Sequence, residues 1–449
     1  MIKDMTNGSP LRIIFSFSLP MLLSMLFQQL YNIVDSLVAG NCIGMDALAA
    51  VGASYPITVL FIAVATGASI GCSVVVSQIF GAKQLAQMKS AVSTAVISLV
   101  VLSLALTGVG LLFCNPLMHL LNTPANIFDD SALYLRIYIC GVIFLFLYNT
   151  ATAIFTGLGD SRTPLYFLIF SSLFNIVLDL WFVISFRMGV AGVAWATFIA
   201  QGLSSLLAVS TLLLRLRKIK GTEKYRVFDP GLLKRMSTVA IPSIMQQSFV
   251  SVGQLCVQGL VNSFGSITVA GYSAAFKINM FAISVMTTMS SALSSFTAQN
   301  LGAGKMERVR QGMKCGAGIA LTVECVLLAV VFLFGRNLVG MFVSGAEDIG
   351  EMLNVGLQFL WIVAPFWLVV TVKNMCDSVM RGAGDMSEFM ITTLIDLILR
   401  VGFSYLLAPL FGFAGIAWAY PIGWVVGTAL SAFYYHRGNW SRPWRKNAA

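Results

Sequence analysis

The decapeptide MGVAGVAWAT at residues 188–197 returns as FGFAGIAWAY at residues 411–420. Three further echoes fall in the same order and at nearly the same offset. Pro20 in SLPMLL is matched by Pro242 in AIPSIM, and Ser77-Gln78-Ile79-Phe80-Gly81-Ala82 by Ala298-Gln299-Asn300-Leu301-Gly302-Ala303. Gly157-Leu158-Gly159-Asp160 is matched by Gly382-Ala383-Gly384-Asp385. Ordered matches at one offset mark an internal duplication, in which each copy is one structural unit.

The composition says what kind of unit this is. Of 449 residues, 58% are hydrophobic and only 10% are charged, and the mean hydropathy is +0.85. Soluble domains carry about 25% charged residues, so this chain lacks the charge to cover a water-facing surface. A soluble enzyme, a disordered regulator and a nucleic-acid binder are excluded despite the net charge of +10. The eight cysteines are scattered singly, most of them in apolar runs, and suggest neither a disulfide framework nor a metal site. The N-terminal MIKDMTNGSPLR is short and polar, and no small-residue cleavage site follows the next apolar run. That run reads as a first transmembrane helix rather than a signal peptide.

A bilayer crossing takes about 20 mostly apolar residues. By that measure the chain holds twelve spans: 13–38, 49–76, 91–114, 133–156, 164–185, 190–214, 238–262, 269–297, 315–335, 352–380, 388–409 and 414–435. The runs are continuously apolar rather than alternating, which selects helices over barrel strands. The expected fold is all-α, twelve transmembrane helices in two six-helix lobes related by pseudo-twofold symmetry. The expected division is 1–214 for the N-terminal lobe, 215–236 for a basic cytoplasmic linker, 237–436 for the C-terminal lobe and 437–449 for a cytoplasmic tail. Six helices per copy is an even number, so both copies insert in the same orientation. Parallel repeats place a substrate path near mid-membrane, where rocking of the lobes gives alternating access. Most of the 28 basic residues fall on one side, including Arg215, Arg217, Lys218, Lys220, Lys224, Arg226, Lys234 and Arg235 in the linker. The positive-inside rule then puts both termini in the cytoplasm of a multi-pass cell-membrane protein. The linker reads chiefly as a solvated topogenic segment, with anionic-lipid binding as the lesser reading.

Gln28-Gln29-Leu30-Tyr31-Asn32-Ile33-Val34-Asp35 lies in the first span. Together with the two Gln-x-x-Gly-Ala loops, the two Gly-x-Gly-Asp loops and twelve spans in two lobes, it resembles the multidrug and toxic compound extrusion (MATE) family. The resemblance covers essentially the whole chain. It implies a secondary antiporter that exports lipophilic, often cationic, organic compounds in exchange for H⁺ or Na⁺. A flippase for lipid-linked saccharide or another lipid is the alternative; Lys277, Lys373, Arg136 and Arg400 are the few cations available to a pyrophosphate. An enzyme is disfavoured, since HExxH is absent and the only histidines, His119 and His436, fall near span ends. A primary pump would need a GxxxxGK[ST] loop, which is also absent.

Acidic side chains inside spans are costly and are functional suspects. There are five: Asp35, Asp179, Glu324, Asp377 and Asp396. Asp377 has Lys373 one helical turn away and Asp396 has Arg400, so both are expected to form i,i+4 ion pairs. Glu324 has no such neighbour. Asp35 and Asp179 have no basic residue within four positions, and a buried carboxylate without a cation takes up a proton or holds a bound cation. Asn175 shares a helix face with Asp179, and Thr197 offers a hydroxyl on the next span. In the DinF-like branch of the family (DNA-damage-inducible protein F), a first-span Asp, a fifth-span Asn-x-x-x-Asp and a sixth-span Thr form an N-lobe cation site. The resemblance therefore implies coupling of H⁺, or binding of Na⁺, at Asp35, Asn175, Asp179 and Thr197. No other cofactor is expected. Helix 7 has no carboxylate of the kind other branches use for Na⁺, only Gln246, Gln247, Gln254 and Gln258. Gln28, Tyr31 and Met25 near one face of the first helix, with Asn149, are the expected substrate contacts. Small organic molecules and the lipid bilayer are the expected partners, and the two-lobed plan suits a monomer.

Overall fold

The computed structural model describes residues 3–42, 45–121, 123–219, 224–343 and 349–441, with the side chains of 32–48 and 343 left aside. The first six crossings are α1 (Pro10–Cys42), α2 (Met45–Gly81), α3 (Leu85–Leu120), α4 (Phe128–Cys140) continued by α5 (Val142–Gly157), α6 (Arg162–Leu180) and α7 (Gly189–Lys218). The second six are α8 (Pro230–Asn262), α9 (Ser266–Gly302), α10 (Met306–Val343), α11 (Ile349–Val363) continued by α12 (Trp367–Ala383), α13 (Met386–Phe411) and α14 (Phe413–Arg437). No strand occurs among the described residues. Ten of these crossings are long and apolar enough to span a membrane, and eleven when α4 and α5 count as one. The remaining helix, α8, is 33 residues long but is made polar by the four glutamines noted above.

Two crossings expected as continuous helices are broken. The fourth bends by 45° at Gly141, between α4 and α5. The tenth passes through a short 3-10 turn, Ala364–Phe366, at Pro365, whose ring fixes φ and whose missing N–H removes a helical hydrogen bond. Pro20, Pro56, Pro242 and Pro421 stay inside unbroken helices. Near two of them a serine hydroxyl bonds the helix backbone: Ser24 Oγ donates to the Pro20 carbonyl at 2.9 Å, and Ser243 Oγ to that of Val239 at 2.8 Å.

Contacts divide the chain into two compact units. Unit 1 comprises Met1–Asp4 and Leu19–Ile244, and unit 2 comprises Met5–Ser18 and Met245–Ala449. In unit 1 α2 is central, packed on α3, α4 and α5. Its Ala65, Ala68, Ser69, Cys72 and Ser77 are all buried, as expected where small residues let helices approach without a hydrophobic drive between them. In unit 2 α9 takes the corresponding place against α10, α11 and α12, with Ala292–Leu301 buried without interruption. An aromatic group of Tyr272, Phe359, Phe413, Tyr420 and Trp424 fills that unit's core. The outward faces carry bare apolar side chains such as Leu112, Leu120 and Leu333, as lipid-facing surfaces do.

The repeated Gly-x-Gly-Asp motif has a physical reason that is the same in both units. Its first glycine lets two helices touch: a Cβ on Gly157 would lie 2.8 Å from Ser77 Oγ and 2.9 Å from the Ser73 carbonyl, and one on Gly382 only 2.5 Å from the Ser294 carbonyl. Its second glycine turns the chain with positive φ, +80° at Gly159 and +85° at Gly384, a region costly for other residues. The aspartates diverge. Asp160 accepts from Thr163 Oγ1 at 2.8 Å, caps the first turn of α6 through the Arg162 and Thr163 amides, and pairs with Arg215. Burial pushes the Asp160 carboxyl up, but hydrogen bonds, those of Thr163 and Arg215 among them, outweigh it and hold the carboxyl below its usual range. Asp385 has an acid for a neighbour instead. Burial, then the charge of Glu388, push it up to about 6.

Candidate functional site: a buried polar cluster in unit 1

α6 is apolar along most of its length, and its last two turns bring Asn175 and Asp179 onto one buried face, 3% and 0% exposed. Beyond Leu180 the helix widens into a π-turn over Trp181–Ser185, a device often found beside functional positions. Tyr31 of α1 hydrogen-bonds the Asn175 side chain. The amide orientation that satisfies every neighbour has its nitrogen donating to Tyr31 Oη and, at 3.2 Å, to Asp179 Oδ2. Its oxygen then accepts from the Thr197 backbone amide, also at 3.2 Å. Tyr31, Asn175, Asp179 and the α7 backbone at Thr197 thus form one hydrogen-bonded cluster linking three helices.

Asp35 lies on the α1 helix one turn beyond Tyr31, but its side chain is outside the described residues. Tyr31, expected among the substrate contacts, is bonded into the polar cluster. Gln28 and Met25 are half-buried on α1. Asn149 of α5 is half-buried as well, its amide donating to its own helix at the Leu145 carbonyl, 2.8 Å away. Neither Met25 nor Asn149 hydrogen-bonds the cluster among the described residues. Thr197 also lines a cavity of about 10 Å³ with Tyr134, Tyr138 and Gln201, room for about one water molecule. These three side chains were not singled out from sequence. Gln201 could have been, since it lies one helical turn from Thr197.

Unit 2 is built differently. Lys373 and Asp377 form the expected ion pair at 2.6 Å, both nearly inaccessible. Asp377 Oδ1 also accepts from Ser431 Oγ at 2.6 Å and Thr392 Oγ1 at 3.4 Å. The second expected pair does not form: the Arg400 guanidinium stacks 5.3 Å from the Tyr420 ring centre. Asp396 packs instead against Gly423 and Gly427 of α14, and its Oδ1 has no hydrogen-bond partner among the described residues. Glu324 is 1% exposed, with neither carboxyl oxygen hydrogen-bonded among the described residues. Gly67-Ala68-Ser69-Ile70-Gly71 matches the letters of a serine-nucleophile motif, but it lies mid-helix in α2. Its glycines meet Ile244 and Ala240 and its serine is buried, so it is a packing surface rather than a strand-to-helix elbow. No group of three or more His, Cys, Asp or Glu side chains that could hold a metal occurs among the described residues.

Apolar, lipid-facing helices in two compact units, one with a buried carboxylate–amide cluster, define a polytopic membrane protein. The model of the MatE family matches residues 20–181 and 242–406, and the chain belongs to that family of multidrug efflux transporters. It is 28% identical over 438 residues to the "Probable multidrug resistance protein YpnP" of Bacillus subtilis (strain 168), covering 97% of each chain. It is 20% identical to the "Multidrug export protein MepA" of Staphylococcus saprophyticus, over 90% of this chain and 88% of the relative. A relative described as "FAD transporter" from Shewanella oneidensis is 21% identical, over 92% of this chain and 91% of its own. Among solved structures, a MATE protein in complex with MaL6 superposes with a TM-score of 0.90 over 97% of both chains, at 24% identity. An outward-facing MATE multidrug resistance transporter superposes at 0.88, over 96% of both, also at 24% identity. The shared fold is two six-helix lobes.

Proposed function

We propose that this protein is a secondary antiporter, exporting lipophilic, often cationic, organic compounds from the cell as H⁺ or Na⁺ enters. Coupling is assigned to the N-lobe at Asp35, Asn175, Asp179 and Thr197, as in the DinF-like branch. The observation that carries this reading is the buried cluster in which Asn175 bridges Tyr31 of α1 to Asp179 of α6. A cation arriving at Asp179 competes for the oxygen that accepts from the Asn175 amide. Rearranging that amide disturbs its bond to Tyr31, and so moves the α1 face on which Gln28 and Met25 sit. Substrate and coupling ion then act on one helix, and each must weaken the other's binding by the same factor, because coupling is reciprocal. The names of the relatives support small organic molecules as cargo. Organic cations suit a site that offers carboxylates and aromatic rings. In unit 2 the Lys373 ammonium already occupies the carboxylate of Asp377, which favours the N-lobe as the ion's site.

The test uses inside-out vesicles holding the wild type, Asp35→Asn or Asp179→Asn, energised separately by a proton or a sodium gradient, with ethidium as the fluorescent substrate. Gradient-driven ethidium movement in the wild type, abolished in both variants, is expected, and the effective gradient identifies the ion. Coupled transport at full rate in Asp179→Asn would refute the site. No transport by the folded wild type under either gradient would refute antiport of organic cations and turn attention to the lipid flippase.

A further inference from the structure

A groove of about 670 Å³ opens on the flank of unit 1, away from the polar cluster. Its floor is Ala68 and Cys72 of α2. Its walls are Ser98 and Val101 of α3 and Ile241 of α8, and Phe228 of the inter-lobe segment closes one end. The volume lies in the range of small-ligand sites, about 300–1,000 Å³, and the lining is almost wholly hydrocarbon. Val101 and Ile241 at its mouth are 61% and 57% exposed, on helices whose outer faces are clothed in apolar side chains. The occupant therefore reaches the groove from the bilayer and presents a hydrocarbon chain.

The closed end differs sharply in character. The inter-lobe segment is tied across α3 there: Ser93 Oγ donates to the Val227 carbonyl at 2.6 Å, and the Asp229 amide to Thr94 Oγ1 at 3.0 Å. Arg226 stands two residues before Phe228, and Lys234 directly follows the groove residue Leu233. Both are exposed, and neither makes an ion pair among the described residues. Of the two acids three residues from Arg226, Asp229 is engaged as the cap of α8, its Oδ1 accepting from the Gly231 and Leu232 amides at 2.8 and 3.3 Å, and Glu223 lies outside the described residues. Three further basic groups of the region are committed elsewhere: Arg235 to Gln78, Lys89 to the Ile219 carbonyl and Arg215 to Asp160. Two exposed cations without an ion-pair partner among the described residues thus flank the end of an apolar slot.

We propose that this groove is a binding site for an anionic glycerophospholipid, one acyl chain lying between α3 and α8 and the phosphate held by Arg226 and Lys234. The positive-inside bias places this end in the cytoplasmic leaflet, where anionic lipids meet basic segments. The occupant is resident lipid rather than cargo, since the groove shares no residue with the Tyr31–Asn175–Asp179 cluster. This assignment does not depend on the antiport reading.

Native mass spectrometry of the full-length protein, released from detergent with matched phosphatidylglycerol or phosphatidylcholine, tests it. The wild type is expected to retain phosphatidylglycerol in preference to phosphatidylcholine. Each juxtamembrane charge is worth about 5-fold in affinity, so Arg226→Gln with Lys234→Gln should weaken phosphatidylglycerol retention about 30-fold. Ala105→Trp, which fills the groove from its exposed α3 wall, should reduce it with both cations intact. The control pair Arg162→Gln with Arg437→Gln, two exposed cations outside the groove, should leave it unchanged. Equal retention of both lipids by the wild type, retention by the double variant within 3-fold of wild type, or an equal loss in the control pair would each overturn the proposal. All substituted side chains are at the surface, and thermal unfolding confirms that every variant compared is folded.

Discussion

Replacing Asp377 by alanine would strand the Lys373 ammonium inside unit 2. The lysine is 4% and the aspartate 2% exposed, and 2.6 Å separates their charged atoms. The substitution also removes the acceptor of the Ser431 and Thr392 hydroxyls. Breaking a buried pair from one side costs about 3–5 kcal/mol, because desolvation of the remaining charge is no longer offset. A unit of this size shifts its midpoint by about 2–4 °C per kcal/mol, so Asp377→Ala should unfold about 6–20 °C below the wild type. Removing both charges has a different expectation. Lys373→Met with Asp377→Leu keeps the volume, leaves no buried ion, and should unfold within about 4 °C of the wild type. The assay is thermal unfolding in detergent followed by tryptophan fluorescence, with ethidium efflux from vesicles as a second readout. If the pair is structural, the double variant transports while the single variant is merely unstable. A single variant that loses less than about 2 °C, or a double variant that is folded but inactive, would refute the reasoning and make Asp377 part of the transport path.

The two motif aspartates should respond to pH in opposite senses. The Asp160 carboxyl is held below its ordinary value of 3.8, so its stabilisation is full above that value and disappears as pH falls through the lower folded one. The Asp385 carboxyl is raised to about 6, so its contribution is full below about 4 and lost as pH rises through about 6. Thermal unfolding at pH 7.5 should therefore show Asp160→Asn destabilised and Asp385→Asn equal to or above the wild type, with the advantage of Asp385→Asn gone at pH 4. The glycines make a second comparison. Gly382→Val places a methyl-bearing Cβ 2.5 Å from the Ser294 carbonyl and should cost at least about 1–3 kcal/mol by overpacking. Gly402→Ala meets nothing within 4 Å in mid-helix and should gain up to about 1 kcal/mol; equal unfolding midpoints for the two would refute the packing argument.

Composition and repeat spacing alone settle the class of molecule and its duplication. Continuously apolar runs long enough to cross a bilayer select helices over barrel strands as the way to satisfy the backbone's hydrogen bonds. The offset between MGVAGVAWAT and FGFAGIAWAY counts six such helices per copy. The sequence also flagged Asn175 and Asp179, since i,i+4 spacing puts two residues on one face whatever else the helix does. The Lys373–Asp377 pair was legible for the same local reason. Local spacing failed where partners come from other helices. Arg400 is one turn from Asp396, but in the packed unit its guanidinium finds the Tyr420 ring on α14. Tyr31 is 144 residues from Asn175 in the chain, and only the tertiary fold brings their side chains into a hydrogen bond. Gly141 carried no sequence mark separating it from the other span glycines, but the fourth crossing bends there. The unlike environments of Asp160 and Asp385 were equally hidden. Their motifs are nearly identical, and the difference lies in whether α7 delivers Arg215 or α13 delivers Glu388 to the same turn. Helix formation and face assignment are short-range and are written in the sequence. The partner of a buried polar group is set by which distant helix packs beside it, and tertiary structure alone decides that.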